Sequence, residues 1–427
     1  MLTQITLNRI EQRVDDYTMS WQSAYKRGRS CADIVWAQRM LISVVMRKEW
    51  TFNKMGIDMS RAFDTVKRDT LLRVLEDAGC SEDDMRLVQY LLSNTNLCVR
   101  VGTSLSEEFE SLLGAFQGDS LSGKLFTLVL AGALNHLREV SGRPNPPIST
   151  LGVPTEWEYS DDVDFADEDM EYLESFLPQV KAILGEWNLE VNESKTEFHS
   201  VYRAEPTAKD DSGQKLAGNE PWRSNKSLGS LLCTEKDIAR RRILAHAAFS
   251  KFKKVWLTGK KISLDRKLRL YDAQVVSVLL YNCNSWSPYK STLEKIDTLH
   301  RRHLRTILNY KGWPNGQISN KTLYKRCDVE KLSDRIEQQR WNMFGHILRC
   351  SENTPAQLAL FFAVESEENK LFNGRWGRPR LNLFNALVSD LGKRSLSIDT
   401  VDELNDIRDI AECKRCWSNL YGYRLQY

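Results

Sequence analysis

The sequence lacks any apolar run long enough to cross a membrane. Its longest apolar stretch, residues 273–281, falls short of the roughly 18 residues that a spanning helix needs. The N-terminal residues carry charges where a secretory signal has an apolar segment. We therefore expect neither a membrane-spanning nor a secreted protein, but an intracellular one of the nucleus, the cytoplasm or both.

A disulfide framework, internal repeats and low-complexity tracts are also absent. The nine cysteines are scattered, which without a secretory signal is typical of free thiols in a reducing compartment. Cys413 and Cys416 have the spacing of half a zinc site, but no second ligand pair follows them. His346 and Cys350 are the only plausible distant partners, which makes a zinc knuckle the less favoured reading.

The 427 residues suffice for two or three domains with their own cores, and the twelve tryptophans argue against extensive disorder.

The net charge of +3 hides a strong asymmetry in how charge is distributed along the chain. Residues 236–311, here called the basic block, hold 18 Lys and Arg against five Asp and Glu. Such a block is typical of a protein that handles polyphosphate, and a solvated helical surface is the alternative.

The chain is organised around residues 159–165, Tyr-Ser-Asp-Asp-Val-Asp-Phe. Aromatic and β-branched residues flank two adjacent carboxylates, which predicts a strand, a tight turn and a returning strand. Adjacent aspartates repel each other and need a compensating cation when partly buried. Mg²⁺, with its preference for oxygen ligands, is the natural one. The alternative is a solvated acidic turn.

Other stretches predict elements around this turn. Basic residues 26–29 precede a helix that Ser30 or Asp33 caps, and Met55 and Ile57 form a short strand leading into Asp58. Asp64 is predicted to cap the helix of residues 66–78. Glycines 114 and 118 lie in a loop that opens a helix through residue 136. Residues 171–187 form a further helix, followed by a strand, a turn and a strand over residues 189–198.

The basic block predicts three helices, at residues 236–256, at 263–283 and from 291 onward. The first helix should bury the apolar side chains at 244, 248, 252, 255 and 256 on one face. The third begins with a capping-box pattern at residues 291–294. Short connections predict antiparallel packing.

Six of these stretches, taken in order, resemble the reverse transcriptase of LINE-type (non-LTR) retrotransposons. The motifs are Arg-Gly-Arg-Ser at 27–30, Asp-x-x-x-Ala-Phe-Asp at 58–64, Gln-Gly-Asp-x-Leu-Ser at 117–122, Tyr-Ser-Asp-Asp at 159–162, Asn-x-x-Lys-Thr-Glu at 192–197 and Leu-Gly-Ser at 228–230. The resemblance covers residues 7–232 and continues more loosely to about residue 391.

The resemblance implies an α+β fold, a right-hand polymerase with an antiparallel palm sheet backed by helices. It predicts partial fingers at residues 1–50, the palm at 51–235, a helical thumb at 236–311 and a helical C-terminal extension at 312–427. The implied activity is RNA-directed DNA polymerisation by nucleotidyl transfer to a primer 3′-hydroxyl. The implied partners are an RNA template, a DNA primer and deoxynucleoside triphosphates, with two Mg²⁺ ions, or Mn²⁺, as cofactors.

Residue roles follow from the same resemblance. Asp58 and Asp161 would bind the metal ions, Asp162 would support the turn, and Lys195 would protonate pyrophosphate or remain a solvated lysine. Phe63 would exclude a 2′-hydroxyl or serve as a core residue. The nucleotide pocket would further include Gln117 and Gly118, with Lys26, Arg27 and Arg29 facing the triphosphate or template. The primer and template contacts would be Leu228, Gly229, Arg240, Arg241, Lys251 and Lys254.

The sequence also departs from the family. Phe116 stands where a basic residue is usual, and Ser120 and Gly123 stand where prolines are common. We expect a chain that begins inside the fingers and carries no endonuclease, which leaves a catalytically inactive nucleic-acid-binding remnant as an alternative. A group II intron-type maturase is a third reading. The segment Trp341-x-x-Phe-Gly-His and the Gly-Arg-Pro-Arg turn at 377–380 favour the retroelement.

Overall fold

The structure is a computed structural model that describes residues 2–18, 20–93, 95–115, 118–310, 318–371, 373 and 381–422. Its contacts define two units. The first contains Met1–Ile34, Thr51–Val201 and Ser351–Phe362, and the second contains Val35–Trp50, Tyr202–Cys350 and Ala363–Tyr427. The predicted boundaries of fingers, palm, thumb and extension stay a prediction. No helix among the described residues is both long enough and apolar enough to cross a bilayer.

The strands are short and mostly antiparallel. They are β1 Phe52–Ile57, β2 Met59–Ser60, β3 Asn96–Leu97, β4 Arg100–Val101, β5 Ser104–Leu105, β6 Phe109–Glu110, β7 Glu156–Tyr159, β8 Asp162–Asp167, β9 Glu190–Val191, β10 Glu197–Val201, β11 Lys226–Ser227 and β12 Ser230–Leu231. The main sheet of the first unit has the order β10-β1-β8-β7, with antiparallel pairing throughout.

The helices of the first half are α1 Leu2–Tyr17, α2 Cys31–Arg47, α3 Ala62–Thr65, α4 Arg68–Asp77, α5 Glu82–Leu92, α6 Ser122–Ser141 and α7 Met170–Glu186. Those that follow are α8 Thr234–Phe252, α9 Leu264–Tyr271, α10 Ser277–Leu279, α11 Lys290–Ile307, α12 Asn320–Cys327, α13 Leu332–Leu348, α14 Pro355–Glu368, α15 Leu383–Gly392, α16 Val401–Glu412 and α17 Lys414–Gly422.

Alternation along β1 and β8 gives the main sheet two different faces. Met55 pairs with Phe165 and Ile57 with Val163, and all four side chains are buried in the apolar core that also contains residues of α6 and α7. Side chains alternate in a strand, so the intervening residues, which include Lys54, Gly56, Asp162 and Asp164, lie on the opposite face. Along β1 and β8, the sheet is therefore apolar on one side and largely polar or charged on the other.

The second unit has its own core, built largely by helices of the basic block. Tyr271, Val275 and Leu279 are buried there as predicted, together with Ile296 and Ile307 of α11. The predicted face of α8 is only partly correct. Ala248 and Phe252 pack against this core as predicted, but Val255 and Trp256 are exposed. The fully buried residues of the helix include Ile238, Ala245 and Phe249, because tertiary packing selects a shifted stripe of the helix.

Two predicted caps are also wrong. Asp64 lies inside the short helix α3, and Lys67 precedes α4 without a side-chain cap. The predicted capping box at 291–294 lies inside α11, which begins at Lys290, and the Thr292 hydroxyl donates to Glu235 of α8 instead. By contrast, Ser30 and Asp33 do interact at the start of α2, where the Ser30 backbone N–H donates to Asp33 Oδ2 at 2.9 Å.

Candidate active site

Ser160, Asp161 and Asp162, here called the acidic turn, connect β7 to β8. Tyr159 pairs with Asp162 across the hairpin, so the turn is as tight as predicted. Ser160 has a φ of 59°, in the left-handed region that residues other than glycine rarely adopt. This backbone bend presents Asp161 at the tip of the hairpin.

Asp58 follows β1 directly and continues the charged face of the sheet. On that face Gly56 pairs with Asp164, and a Cβ added to Gly56 would lie 2.8 Å from Asp164 Oδ1. The Lys54 Nζ lies 3.0 Å from Asp164 Oδ2, and the Lys54 side chain is only 4% exposed. Asp164 and Lys54 therefore belong to the site, although sequence reasoning missed both. The period-two spacing from Asp162 was the available signal for Asp164.

The four aspartates influence one another electrostatically. Partial burial, and then the negative charges of Asp161, Asp164 and Asp58, raise the pKa of Asp162 to about 6. Such repulsion is relieved when a cation binds, and an all-oxygen donor set suits Mg²⁺ or Mn²⁺. Among the described residues, no three of these carboxylates bring their oxygens within 4.8 Å of one another. An ion held by three of these carboxylates would therefore require the side chains to rotate toward each other.

Lys195 reaches the same site. It lies in a helical turn between β9 and β10, and its Nζ is 3.0 Å from Asp58 Oδ2. The lysine side chain is 62% exposed, so its ammonium group remains accessible to solvent and to a ligand. The structure thus brings together Asp58, Asp161, Asp162 and Lys195, and their individual roles stay predictions.

Phe63 of α3 packs among aromatic residues. Its ring stacks on Phe126 with centroids 4.5 Å apart and meets Tyr25 edge-on at 6.4 Å. A Cβ on Gly123 would overlap the Tyr25 ring, which gives a reason for glycine at this position. Phe63 is half-buried, so its predicted contact with a nucleotide sugar stays open. Gly118 has a φ of 98°, and Gln117 and Phe116 lie outside the described residues.

The three N-terminal cations differ in their surroundings. The Lys26 Nζ donates to the Asp15 carbonyl at 3.0 Å, and burial lowers the pKa of Lys26 to about 8. Arg29 lies 3.8 Å from Asp33. Arg27 is exposed. Contact of these residues with a triphosphate or template stays a prediction.

In the second unit, four of the six predicted primer and template residues meet at one hairpin. Leu228 and Gly229 form the turn between β11 and β12, with φ values of 46° and 78°. Both Arg240 and Arg241 donate to the Gly229 carbonyl. Lys251 and Lys254 are exposed near the end of α8.

Arg241 is buried rather than solvated. It lies 3.6 Å from Asp237, and its guanidinium covers the Tyr281 ring at 4.3 Å. Its contacts therefore stabilise the hairpin rather than present a charge to solvent.

Cys413 and Cys416 are both exposed, and the Cys416 backbone N–H donates to the Cys413 sulfur at 3.2 Å. Within the described parts of the chain, no third His, Cys, Asp or Glu ligand groups with these two sulfurs. The structure therefore gives the predicted half zinc site no further support.

Comparison with known proteins adds three findings. A family model described as reverse transcriptase (RNA-dependent DNA polymerase) matches residues 1–229. A 93-residue segment is 33% identical to the retrovirus-related Pol polyprotein from type-1 retrotransposable element R2 of Popillia japonica, covering 22% of this chain and 13% of that protein. Telomerase from Candida tropicalis in complex with a fragment of telomeric RNA aligns with a TM-score of 0.39 and 11% identity, covering 84% of this chain and 56% of that one.

The apo telomerase of the same organism aligns with a TM-score of 0.35 and 12% identity, covering 84% of this chain and 60% of that one. The chain thus spans only part of the length of each of these relatives.

Proposed function

The chain belongs to the reverse transcriptase (RNA-dependent DNA polymerase) family, and we propose that its acidic turn is the catalytic centre that extends a DNA primer along an RNA template. The predicted resemblance to non-LTR retrotransposon enzymes and the predicted polymerase fold are both confirmed. The observation that carries the proposal is the cluster of Asp58, Asp162 and Asp164 along one face of an antiparallel sheet, with Asp161 beside them in the hairpin turn.

Reverse transcriptases use divalent metal ions. We propose two Mg²⁺ ions here, with Asp58 and Asp161 as the carboxylates that hold them. When bound, the ions would activate the primer 3′-hydroxyl and stabilise charge on the leaving oxygens. The raised pKa of Asp162 supports this assignment, because it arises from burial and then from the negative charges of Asp161, Asp164 and Asp58, which a bound cation would offset.

The protein side chains have distinct tasks in this proposal. Lys195, 3.0 Å from Asp58, is placed to neutralise or protonate the departing pyrophosphate. Phe63, held between Phe126 and Tyr25, would limit space beside the sugar of a deoxynucleoside triphosphate. The Lys54 Nζ, 3.0 Å from Asp164 Oδ2, would hold the Asp164 carboxylate in place.

The basic block would bind the backbone of the template–primer duplex. Its exposed cations suit contacts with phosphates, and such contacts are largely independent of sequence. The RNA template, DNA primer and deoxynucleoside triphosphates are therefore the proposed partners of this chain.

Replacement of Asp161 tests the proposal. Asp161→Asn should lower primer extension on an RNA template by at least about 10³-fold, because it removes several kcal/mol of transition-state charge stabilisation. RNA binding should change less than about twofold, since few ground-state contacts are lost.

Glu168→Gln is the matched control, an exposed carboxylate just beyond β8 that should leave extension unchanged. If Asp161→Asn extended primers at the rate of the control, the catalytic assignment would be refuted.

A further inference from the structure

Ser160, the residue before Asp161, has an unusual backbone geometry. Its φ of 59° is left-handed, although serine has a Cβ. L-residues other than glycine, asparagine and aspartate adopt this region at a cost in free energy. The geometry therefore needs support from the surrounding structure.

That support comes from Gln22. The Ser160 backbone N–H donates to Gln22 Oε1 at 2.9 Å, and Gln22 Nε2 lies 3.5 Å from the Ser160 carbonyl oxygen. Gln22 is fully buried, and its Oε1 also accepts from the Ala24 backbone N–H at 2.9 Å. One side-chain amide thus faces both backbone polar groups of the residue that shapes the turn.

The segment around Gln22 is itself fastened beside β7. Gln22 forms a parallel bridge with Glu158, and the Ser23 backbone N–H donates to the Glu158 carbonyl at 3.0 Å. These contacts fix the backbone from which the Gln22 side chain extends. The backbone of Gln22 is therefore positioned by contacts with β7, independently of the side-chain hydrogen bond that Gln22 makes to the turn.

We propose that Gln22 is a positioning residue that holds Ser160 in the left-handed conformation and so sets the placement of Asp161 and Asp162. An amide suits this task because it offers an acceptor and a donor on neighbouring atoms. A carboxylate in its place would lack the donor, and it would add negative charge beside four aspartates. The consequence for catalysis rests on the proposed polymerase activity, whereas the consequence for metal affinity rests only on the proposed binding of metal ions by the aspartates.

Three variants test the proposal. Gln22→Met keeps the length of the side chain but can neither accept nor donate to Ser160. Gln339→Met, at a half-buried glutamine of α13 whose side-chain oxygen accepts from the Cys283 thiol, is the matched control. The third variant combines Gln22→Met with Ser160→Gly, because glycine adopts a positive φ freely and should restore part of any loss.

Two measurements are made on each variant, primer extension and the affinity for Mn²⁺ followed by electron paramagnetic resonance. Gln22→Met should lower kcat by about 10- to 100-fold, the scale expected for misplacement of a catalytic group by about 1 Å. Template–primer affinity should stay within about twofold of wild type, because Gln22 is fully buried and its replacement removes few ground-state contacts. The affinity for Mn²⁺ should fall severalfold, and Ser160→Gly should recover part of both losses.

The outcomes separate the two claims. A wild-type protein that fails to extend primers, yet shows the Mn²⁺ pattern above, would overturn the proposed function and leave the role of Gln22 supported. An equal affinity of Gln22→Met and Gln339→Met for Mn²⁺ would overturn the role of Gln22, whatever the activity. Should Gln22→Met fold poorly, Gln22→Asn gives the same test, since its amide stops one methylene short of Ser160.

Discussion

The hairpin of β7 and β8 carries two acidic clusters, one on each face of the sheet. On the core face, the Glu156 and Glu158 carboxylates lie 2.6 and 2.8 Å from Arg138 Nη2, and all three side chains are almost fully buried. The opposite face carries Asp162 and Asp164, with Asp161 at the hairpin turn and Asp58 near enough to act on Asp162 electrostatically. Lys54 pairs with Asp164, and Lys195 pairs with Asp58. The same hairpin thus presents acids in two very different electrostatic settings.

The difference lies in how each cluster is neutralised. Arg138 bridges both glutamates, and Arg143 lies 3.6 Å from Glu156. Burial nevertheless raises the pKa of Glu158 to about 7 against the opposing effect of Arg138. In the aspartate cluster, neighbouring aspartates push the pKa of Asp162 upward together with burial. The negative charge of the glutamate cluster is neutralised by arginines of the protein. The aspartate cluster is instead suited to bind a cation from solution.

Removing the arginine of the glutamate cluster should have the largest effect on stability. Arg138→Met leaves two buried glutamates without their shared partner, and such a loss costs about 3–5 kcal/mol of unfolding free energy. The measurement is denaturant unfolding. The control is Arg86→Met, which removes a pair with Glu82 that is 68% and 74% exposed and should cost less than about 1 kcal/mol. Equal losses in the two variants would contradict the comparison.

The basic block shows the same contrast between paired and exposed cations. Arg241 is buried against Asp237 and Tyr281, whereas Lys251, Lys253 and Lys254 are exposed. Replacing the three lysines by Gln should reduce the slope of log K against log[salt] for template–primer binding by about 2–3 units, at roughly 0.7–0.9 per phosphate contact.

Arg241→Gln is the control for that measurement. It should lower the melting temperature, since a buried partner of Asp237 is lost, and leave the salt slope nearly unchanged. If the salt slope fell with Arg241→Gln but stayed constant in the triple lysine variant, Arg241 rather than the three lysines would contact the duplex.

Gly56 allows a direct perturbation of the acidic face. In Gly56→Ala, the new Cβ would lie 2.8 Å from Asp164 Oδ1, so the carboxylate must rotate away from Lys54. A side chain displaced from its preferred rotamer costs about 0.5–1.5 kcal/mol, so the affinity for Mn²⁺ should fall about 2- to 10-fold.

Gly185→Ala is the matched control, because nothing lies within 4 Å of a Cβ added at this position in α7. That variant should keep its affinity for Mn²⁺ and gain up to about 1 kcal/mol of stability from helix propensity. A loss of affinity in both variants would mean that the effect does not arise at Asp164.

Local patterns predicted much of this site. The alternation of apolar and acidic residues at 159–165 predicted the hairpin, and Met55 and Ile57 predicted the strand that delivers Asp58. What failed depends on distant contacts. The buried stripe of α8 is chosen by packing against other helices, so apolar residues such as Trp256 were assigned to the wrong face. Gln22 acts on a backbone 138 residues away and left no local signal at all.

The smallest expected effect is the pH dependence contributed by Asp162. Its pKa of about 6 in the folded protein lies above its ordinary value of 3.8, so the folded state binds this proton more tightly than the unfolded state. Stability from this group is therefore fully present below about pH 4 and is lost as pH rises through about 6. Because the side chain is partly exposed, solvent screening limits the effect to less than about 1 kcal/mol.

Unfolding free energies of wild type and Asp162→Asn, measured at about pH 5 and about pH 7.5 without divalent ions, isolate this contribution. Glu158 titrates over a similar range in both proteins, so its effect cancels in the difference between them. Wild type should lose more stability than Asp162→Asn between the two pH values. Added Mg²⁺ at the higher pH should restore more stability to wild type than to the variant, because it neutralises the same repulsion that raises the pKa. Had wild type gained stability relative to Asp162→Asn as pH rose, the aspartate cluster would already be neutralised by the protein, like the glutamates on the core face.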